Sequence, residues 1–256
     1  MPTWRDGPWC SSCRLHPDAP QELDELVGYL FEHVATEDPS YLEAGADNLH
    51  TWLDAHLDET VAGYAVNNLS SEGVTALGEG SPSLEDLAGA AVGAESAHSV
   101  GDLGVAITVD DPTEMYPGTY LSYDRTYHGD ADCFVSGDCD FLEAETHGEL
   151  SYPLGLKVRT HSMVQWRWVE TQYGQALIQR TWLREPAEIS LDFLSVEQQY
   201  YVWMFIPTDA GARSIQATWV VATLTGSAVP ENLALDLVID SMSKGAEDLD
   251  AWVDAK

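Results

Sequence analysis

Residues 163–183 read MVQWRWVETQYGQALIQRTWL. Side chains alternate on both sides of Tyr173-Gly174, the period-two pattern of two strands joined by a tight turn. If Gln172-Tyr173-Gly174 is a three-residue loop, Gly174 takes the left-handed position such loops favour, and Thr171 stands opposite Gln175. Val164 then faces Trp182, Trp166 faces Arg180, and Trp168 faces Ile178. One face of the hairpin thereby carries Trp166, Trp168 and Trp182, with Arg180 stacked near Trp166. A one-residue slip that set Arg167 against Arg180 is opposed by like-charge repulsion. The other face, with Gln165, Arg167, Gln179 and Thr181, is expected to be the wetter one. An arginine among tryptophans has two readings. It is either a core position satisfied by a carboxylate, with Glu143 and Glu145 as candidates, or a contact for the polar head of an apolar ligand.

The period of two extends well beyond this hairpin. Strands are expected over 119–128, 139–150, 156–170, 175–184, 190–206 with an interruption, and 213–224. Consecutive strands with short connections predict an antiparallel meander. Around residues 200–206 both faces are apolar: Tyr201, Trp203 and Phe205 on one, Tyr200, Val202, Met204 and Ile206 on the other. Trp219 is grouped with the first of these stripes. A strand buried on both faces needs two covering layers.

Helices supply candidates for both layers. Leu23, Leu26, Val27, Leu30, Phe31 and Val34 fall on one helical face, and Leu42, Leu49, Trp52, Leu53, His56 and Leu57 continue a second helix capped by Asp38-Pro39. The short link between them predicts an antiparallel pair. At the other end, residues 230–249, PENLALDLVIDSMSKGAEDL, open a long helix whose Leu235, Val238, Ile239, Met242, Leu249 and Trp252 repeat at helical spacing. That stripe needs an apolar partner, so the helix is expected to lie across the sheet. Residues 61–118 are rich in turn signals, with a helical patch expected at 83–92 and a strand at Val105–Val109. The expected organisation is a tail over 1–20, a helical and loop-rich segment over 21–118, and a sheet with its terminal helix over 119–256, together forming a single domain.

Charge excludes one class of function. Eleven Lys and Arg stand against 43 Asp and Glu, a net charge of −32, and no Lys or Arg occurs between Arg14 and Arg125. Phosphate backbones require basic surface, so nucleic acid is excluded as a partner. The acids are dispersed along the chain and read as a solvated coat suited to a salty medium. No apolar run is long enough for a transmembrane segment.

Cys133 and Cys139 bracket a turn, DCFVSGDC, and are expected to form a disulfide; Cys10 and Cys13 form a CxxC read as a second local disulfide, with free thiols or a zinc site as alternatives. Disulfides favour export to a periplasm or cell surface after loss of a leader, with a cytoplasmic location as the alternative. Catalytic signatures are sparse. No HExxH, GxSxG, P-loop or dinucleotide fingerprint occurs, so no cofactor and no metal ligand is assigned. Asp130, Asp132, Asp138 and Asp140 lack the glycine and terminal glutamate of a calcium loop.

Helices, a long antiparallel meander and then the PENLALDLVIDSMSKGAEDL helix resemble, over residues 119–256, the START-like helix-grip (SRPBCC) superfamily of lipid-transfer domains, pollen-allergen relatives and polyketide cyclases. A helix-grip domain usually begins with a strand before its paired helices, and residues 1–20 offer none. That strand is therefore sought within 61–110, with the first two helices outside the fold. The resemblance implies an α+β fold in which a curved sheet grips the last helix around a cavity for a sterol, phospholipid, fatty acyl chain or other apolar small molecule. It implies that Trp166, Trp168, Arg180, Trp182, Trp203, Trp219, Leu235, Ile239 and Met242 contact that ligand. Two alternatives are an enzyme on the same scaffold, with His147 or His161 as base beside Glu143 or Glu145, and an acidic surface that meets a cationic partner.

Overall fold

The hairpin at 163–183 closes one residue tighter than its spacing suggests. Thr171 pairs with Gly174, and Gly174 has a φ of 124°. The loop is thus Gln172-Tyr173 alone. Two contacts from a helix hold it: Gln172 N donates to Asp47 Oδ1 (3.2 Å), and Tyr173 stacks on His50 with ring centroids 3.5 Å apart. The register follows, with Met163 opposite Trp182, Gln165 opposite Arg180 and Trp166 opposite Gln179. Because side chains alternate, this one-residue shift moves Arg180 and Trp182 to the face away from Trp166 and Trp168. The expectation of three tryptophans on one face is corrected by the loop length.

The computed structural model describes residues 19–78, 84, 87–152, 155–190, 194–224 and 233–256. Its helices are α1 (Leu23–His33), α2 (Ser40–His56), α3 (Ser71–Thr75), α4 (Val100–Ile107), α5 (Ala131–Val135) and α6 (Leu233–Asp254). Its strands are β1 (Tyr64–Val66), β2 (Ala88–Ser96), β3 (Tyr120–Tyr127), β4 (Phe141–Ser151), β5 (Lys157–Thr171), β6 (Gly174–Leu183), β7 (Glu188–Ile189), β8 (Leu194–Thr208) and β9 (Gly211–Leu224). They form one sheet in the order β1-β2-β9-β8-β6-β5-β4-β3, with β7 paired to β5, and every pairing is antiparallel. The fold is α+β and helix-grip: β2 precedes the meander, and α6 packs against β2 and β9. The opening strand therefore lies within 61–110, and α1 and α2 precede it.

Two expectations for 61–118 reverse. The alanine-rich run expected to be helical over 83–92 is strand from Ala88 onward; residues 79–83, 85 and 86 lie outside the described residues. Its small side chains allow close approach: a Cβ at Gly89 would come within 2.6 Å of Trp219, and one at Gly93 within 2.2 Å of Thr60. Pairing with β9 thus overrides helix propensity. Conversely, Val105–Val109 is not a strand. Ser99 caps α4, accepting from Asp102 N at 3.1 Å, and Leu103, Ala106 and Ile107 turn one helical face inward.

Both sheet faces are covered. Under α1 and α2 lie Met163, Ile178, Trp182, Tyr200, Val202, Met204, Ile206, Ile215 and Trp219. Under α4, α5 and α6 lie Val164, Trp166, Trp168, Leu177, Trp203 and Phe205. Trp219 therefore belongs with Tyr200, which it faces, and not with the Trp203 stripe.

Arg180 sits beneath the helical pair and is 6% exposed. Its Nη1 donates to Phe31 O (2.9 Å) and Glu32 O (3.4 Å), carbonyls at the C-terminal end of α1 that have no helical partner. Its Nε donates to Gln165 Oε1 (2.7 Å), and Gln165 in turn bonds Glu143. Burial pulls the guanidinium down to about 10, and the Glu143 charge opposes that shift. The guanidinium lies over Phe31 and Trp182, 5.6 and 5.4 Å from their centroids, and not over Trp166. Replacing it leaves at least two buried acceptors unpaired, each costing about 1–3 kcal/mol. Arg180→Ala should therefore lower unfolding stability by about 2–5 kcal/mol, read from the shift in the urea midpoint.

Candidate functional site

The face opposite Arg180 is not packed throughout. Between the sheet, α6 and the segment 112–120 there is a cavity of about 730 Å³. It opens where the inward positions are small or polar: Thr146, Thr160, Ser162 and Thr181. Larger side chains, among them Tyr201, Trp203 and Met242, bound it.

One end is built by β3. Its inward residues are Tyr120, Tyr123, Arg125 and Tyr127, and the irregularity between Tyr120 and Ser122 is what keeps Tyr120 in phase with the rest. Arg125 lines the cavity and is half-buried. Its Nη1 donates to Val109 O (2.5 Å), Ile107 O (3.2 Å) and Tyr127 Oη (3.3 Å), and its Nη2 donates to Tyr123 Oη (2.8 Å). Its guanidinium lies 5.1 Å from the Trp166 ring centroid. All these partners are neutral, and among the described residues no carboxylate forms an ion pair with Arg125. Such a cation, held in a largely apolar cavity, leaves a charge for an anionic group to neutralise.

Hydroxyls surround this end. Tyr116 and Tyr120 line the cavity with Tyr123 and Tyr201. Burial pushes the phenols of Tyr116, Tyr120 and Tyr201 up, so they remain neutral and able to donate. Tyr201 Oη donates to Gln216 Oε1 (2.7 Å), and Gln216 Nε2 donates to Met242 O (2.9 Å). Gln216 thus ties the sheet to α6 beside the cavity. Trp203 is 5% exposed, and its Nε1 has no partner among the described residues.

The sequence-derived residues fall in several places. Trp203 and Met242 line the cavity. Trp166 stands one layer back and donates from Nε1 to Gln179 Oε1 (3.0 Å), which does line it. Trp168 packs at the far end of the same face, stacked on Phe134 and donating to Phe134 O (2.9 Å); Gly104 admits it, since a Cβ there would come within 2.6 Å. Arg180, Trp182 and Trp219 are under the helical pair on the opposite face. Ile239 lies over Gly63, where a Cβ would come within 2.8 Å of its Cδ1. The side chain of Leu235 and the pair Cys10 and Cys13 lie outside the described residues. Cys133 and Cys139 are joined in a disulfide.

His147 and His161 do meet, as adjacent-strand partners, but on the face away from the cavity. As bases for chemistry inside it they are misplaced, because strand alternation turns Thr146 and Ser162 inward instead. Arg125 and its tyrosines were missed. The signal was present in Tyr123, Arg125 and Tyr127, a period-two run holding the first Lys or Arg after Arg14.

No protein-family model matches the chain, and no curated protein sequence does either. Solved structures that resemble it include a STAR-related lipid transfer protein from Xanthomonas axonopodis, at 10% identity and a TM-score of 0.43, covering 67% of this chain and 96% of that one. A START superfamily protein from Mycobacterium smegmatis aligns at 8% identity and a TM-score of 0.36, over 66% of this chain and 97% of its own. The lipid transfer and protein localization domain of human StarD13 aligns at 9% identity and a TM-score of 0.41, over 78% and 95%. The helix-grip assignment rests on the strand order itself.

Gln216→Leu removes both bonds that tie β8 and α6 together and leaves Met242 O without its donor. It should cost about 2–4 kcal/mol, with hydrogen exchange in α6 accelerating more than in α1 and α2.

Proposed function

We propose that the protein binds one amphiphilic small molecule or lipid in this cavity, with an anionic or strongly hydrogen-bond-accepting head at Arg125 and an apolar body toward Trp203 and Met242. The observation that carries this reading is a cavity of about 730 Å³ faced by a cation that no carboxylate pairs among the described residues. That size falls within the range of about 300–1,000 Å³ typical of small-molecule sites. Tyr116 and Tyr120 supply neutral donors beside the cation, and the unpartnered Trp203 Nε1 supplies another. Non-covalent shielding needs only shape, apolar area and such anchors. A sterol, a fatty acyl chain and a phospholipid are all candidates by their apolar bodies, and the Arg125 end favours an acid among them. The Cys133–Cys139 disulfide supports a working location in an oxidising compartment outside the cytoplasm.

Solvent extraction of the purified protein followed by mass spectrometry should release a bound amphiphile. In binding assays with a long-chain fatty acid and its methyl ester, Arg125→Gln should weaken the acid about tenfold or more, the loss of one charge-assisted interaction. The ester should be affected far less. Ser162→Phe projects a ring into the cavity and should weaken binding of both without lowering the melting temperature. A clean extract, together with no binding of either probe, would sink the reading.

A further inference from the structure

The sheet face opposite the cavity carries a second cluster, beyond the cover of α1 and α2. His147 and His161 are direct cross-strand partners on β4 and β5, and Glu145 precedes His147 by two residues on the same face. The imidazoles stack with centroids 4.2 Å apart. His161 Nε2 bonds a Glu145 carboxylate oxygen. One donor atom from each of the three residues lies within 4.8 Å of the others. His161 Nδ1 contacts Glu185 Oε1 at 3.2 Å. Both ring nitrogens of one histidine are therefore engaged by carboxylates. His128 Nε2 stands 3.9 Å from the second Glu145 oxygen.

We propose that Glu145, His147 and His161 bind a divalent transition-metal ion, of which zinc is the best fit. Two imidazoles and one carboxylate form a mixed nitrogen and oxygen set that suits zinc, nickel or copper better than magnesium or calcium. In tetrahedral zinc the ligand atoms stand about 3.4 Å apart, so closing the triad from its present separations takes side-chain rotation of about an ångström. Extended strands fix the three Cβ positions, and the pairing is deep within a long ladder, so the donors are preplaced by the sheet. Glu185 plays the part of the outer carboxylate that holds a ligating histidine by its other nitrogen. The remaining coordination positions face solvent, and His128 is near enough to take one. Arg184 Nη1, 3.4 Å from Glu145 Oε1, competes for the same oxygen and is displaced when the ion binds. This site is independent of the cavity ligand, because the sheet separates the two.

The test is a zinc titration of the metal-stripped full chain against a chromophoric chelator. It is run in about 1 M NaCl, where a Debye length of about 3 Å suppresses diffuse attraction to the acidic coat. One zinc ion per chain should bind and resist excess magnesium. His147→Ala and Glu145→Gln should each weaken it at least tenfold, and Glu185→Gln about tenfold. His147 is exposed, so its variant is expected to fold, which near-UV circular dichroism checks. A variant-independent measurement is the imidazole nitrogen spectrum of the wild type, in which zinc should shift the resonances of His147 and His161. Zinc displaced by magnesium, unchanged affinity in His147→Ala and Glu145→Gln, or shifts confined to other histidines would each overturn the proposal.

Discussion

The register of the β5–β6 hairpin is the constraint on which the rest depends. A strand sends alternate side chains to opposite faces, so the pairing of Thr171 with Gly174 decides two things at once. It sends Arg180 beneath α1, where the helix presents carbonyls in need of a donor. It also sends Gln179 and Thr181 to the other face, where they line the cavity. A hairpin one residue looser would bury a guanidinium in the cavity wall and leave the end of α1 unanswered. The contacts of Asp47 and His50 with the loop show why the tighter turn prevails: α2 grips both loop residues.

With both faces covered, the two layers do different work. Beneath α1 and α2 a continuous apolar cluster packs around the buried Arg180 and Gln165. Beneath α6 the central inward residues are threonine, serine and glutamine, with large side chains set toward the ends. Threonine and serine side chains are too short to reach across to the helix, so a void remains beside the bridge from Gln216 to Met242 O. A void lined in this way is suited to a guest with both apolar and polar parts. The sheet is thick enough in side chains to keep its two faces chemically separate, and the Glu145, His147 and His161 cluster lies on the far side from Arg125.

Much of the architecture could be read in the chain. Period-two alternation located β3, β4, β5, β6, β8 and β9 within a few residues, and helical spacing located α1, α2 and α6. The double apolar face of Tyr200–Ile206 required two layers, and two are present. Failures cluster in residues 61–118. There, β2 is built from alanine and glycine, which carry little strand signal, and its place beside β9 comes from close approach by Trp219 and Thr60. α4 was hidden by the β-branched residues Val105, Ile107, Thr108 and Val109, although its Ser99 cap was in view.

The candidate site was less legible, for a related reason. Apolar character points to Trp203 and Met242, which do border the cavity, whereas Arg180, a cation in an apolar strand, serves a helix end 149 residues earlier in the chain. Arg125 was passed over although it holds the corresponding place on the cavity side. Periodicity alone establishes that a residue is buried on a face. It carries no information about which face meets which layer, because that depends on a loop length set by long-range contacts. The sequence by itself determined the acidic coat, the order of elements and the need for two covers. Only the tertiary structure decided which arginine meets the void, since register is fixed where distant segments touch.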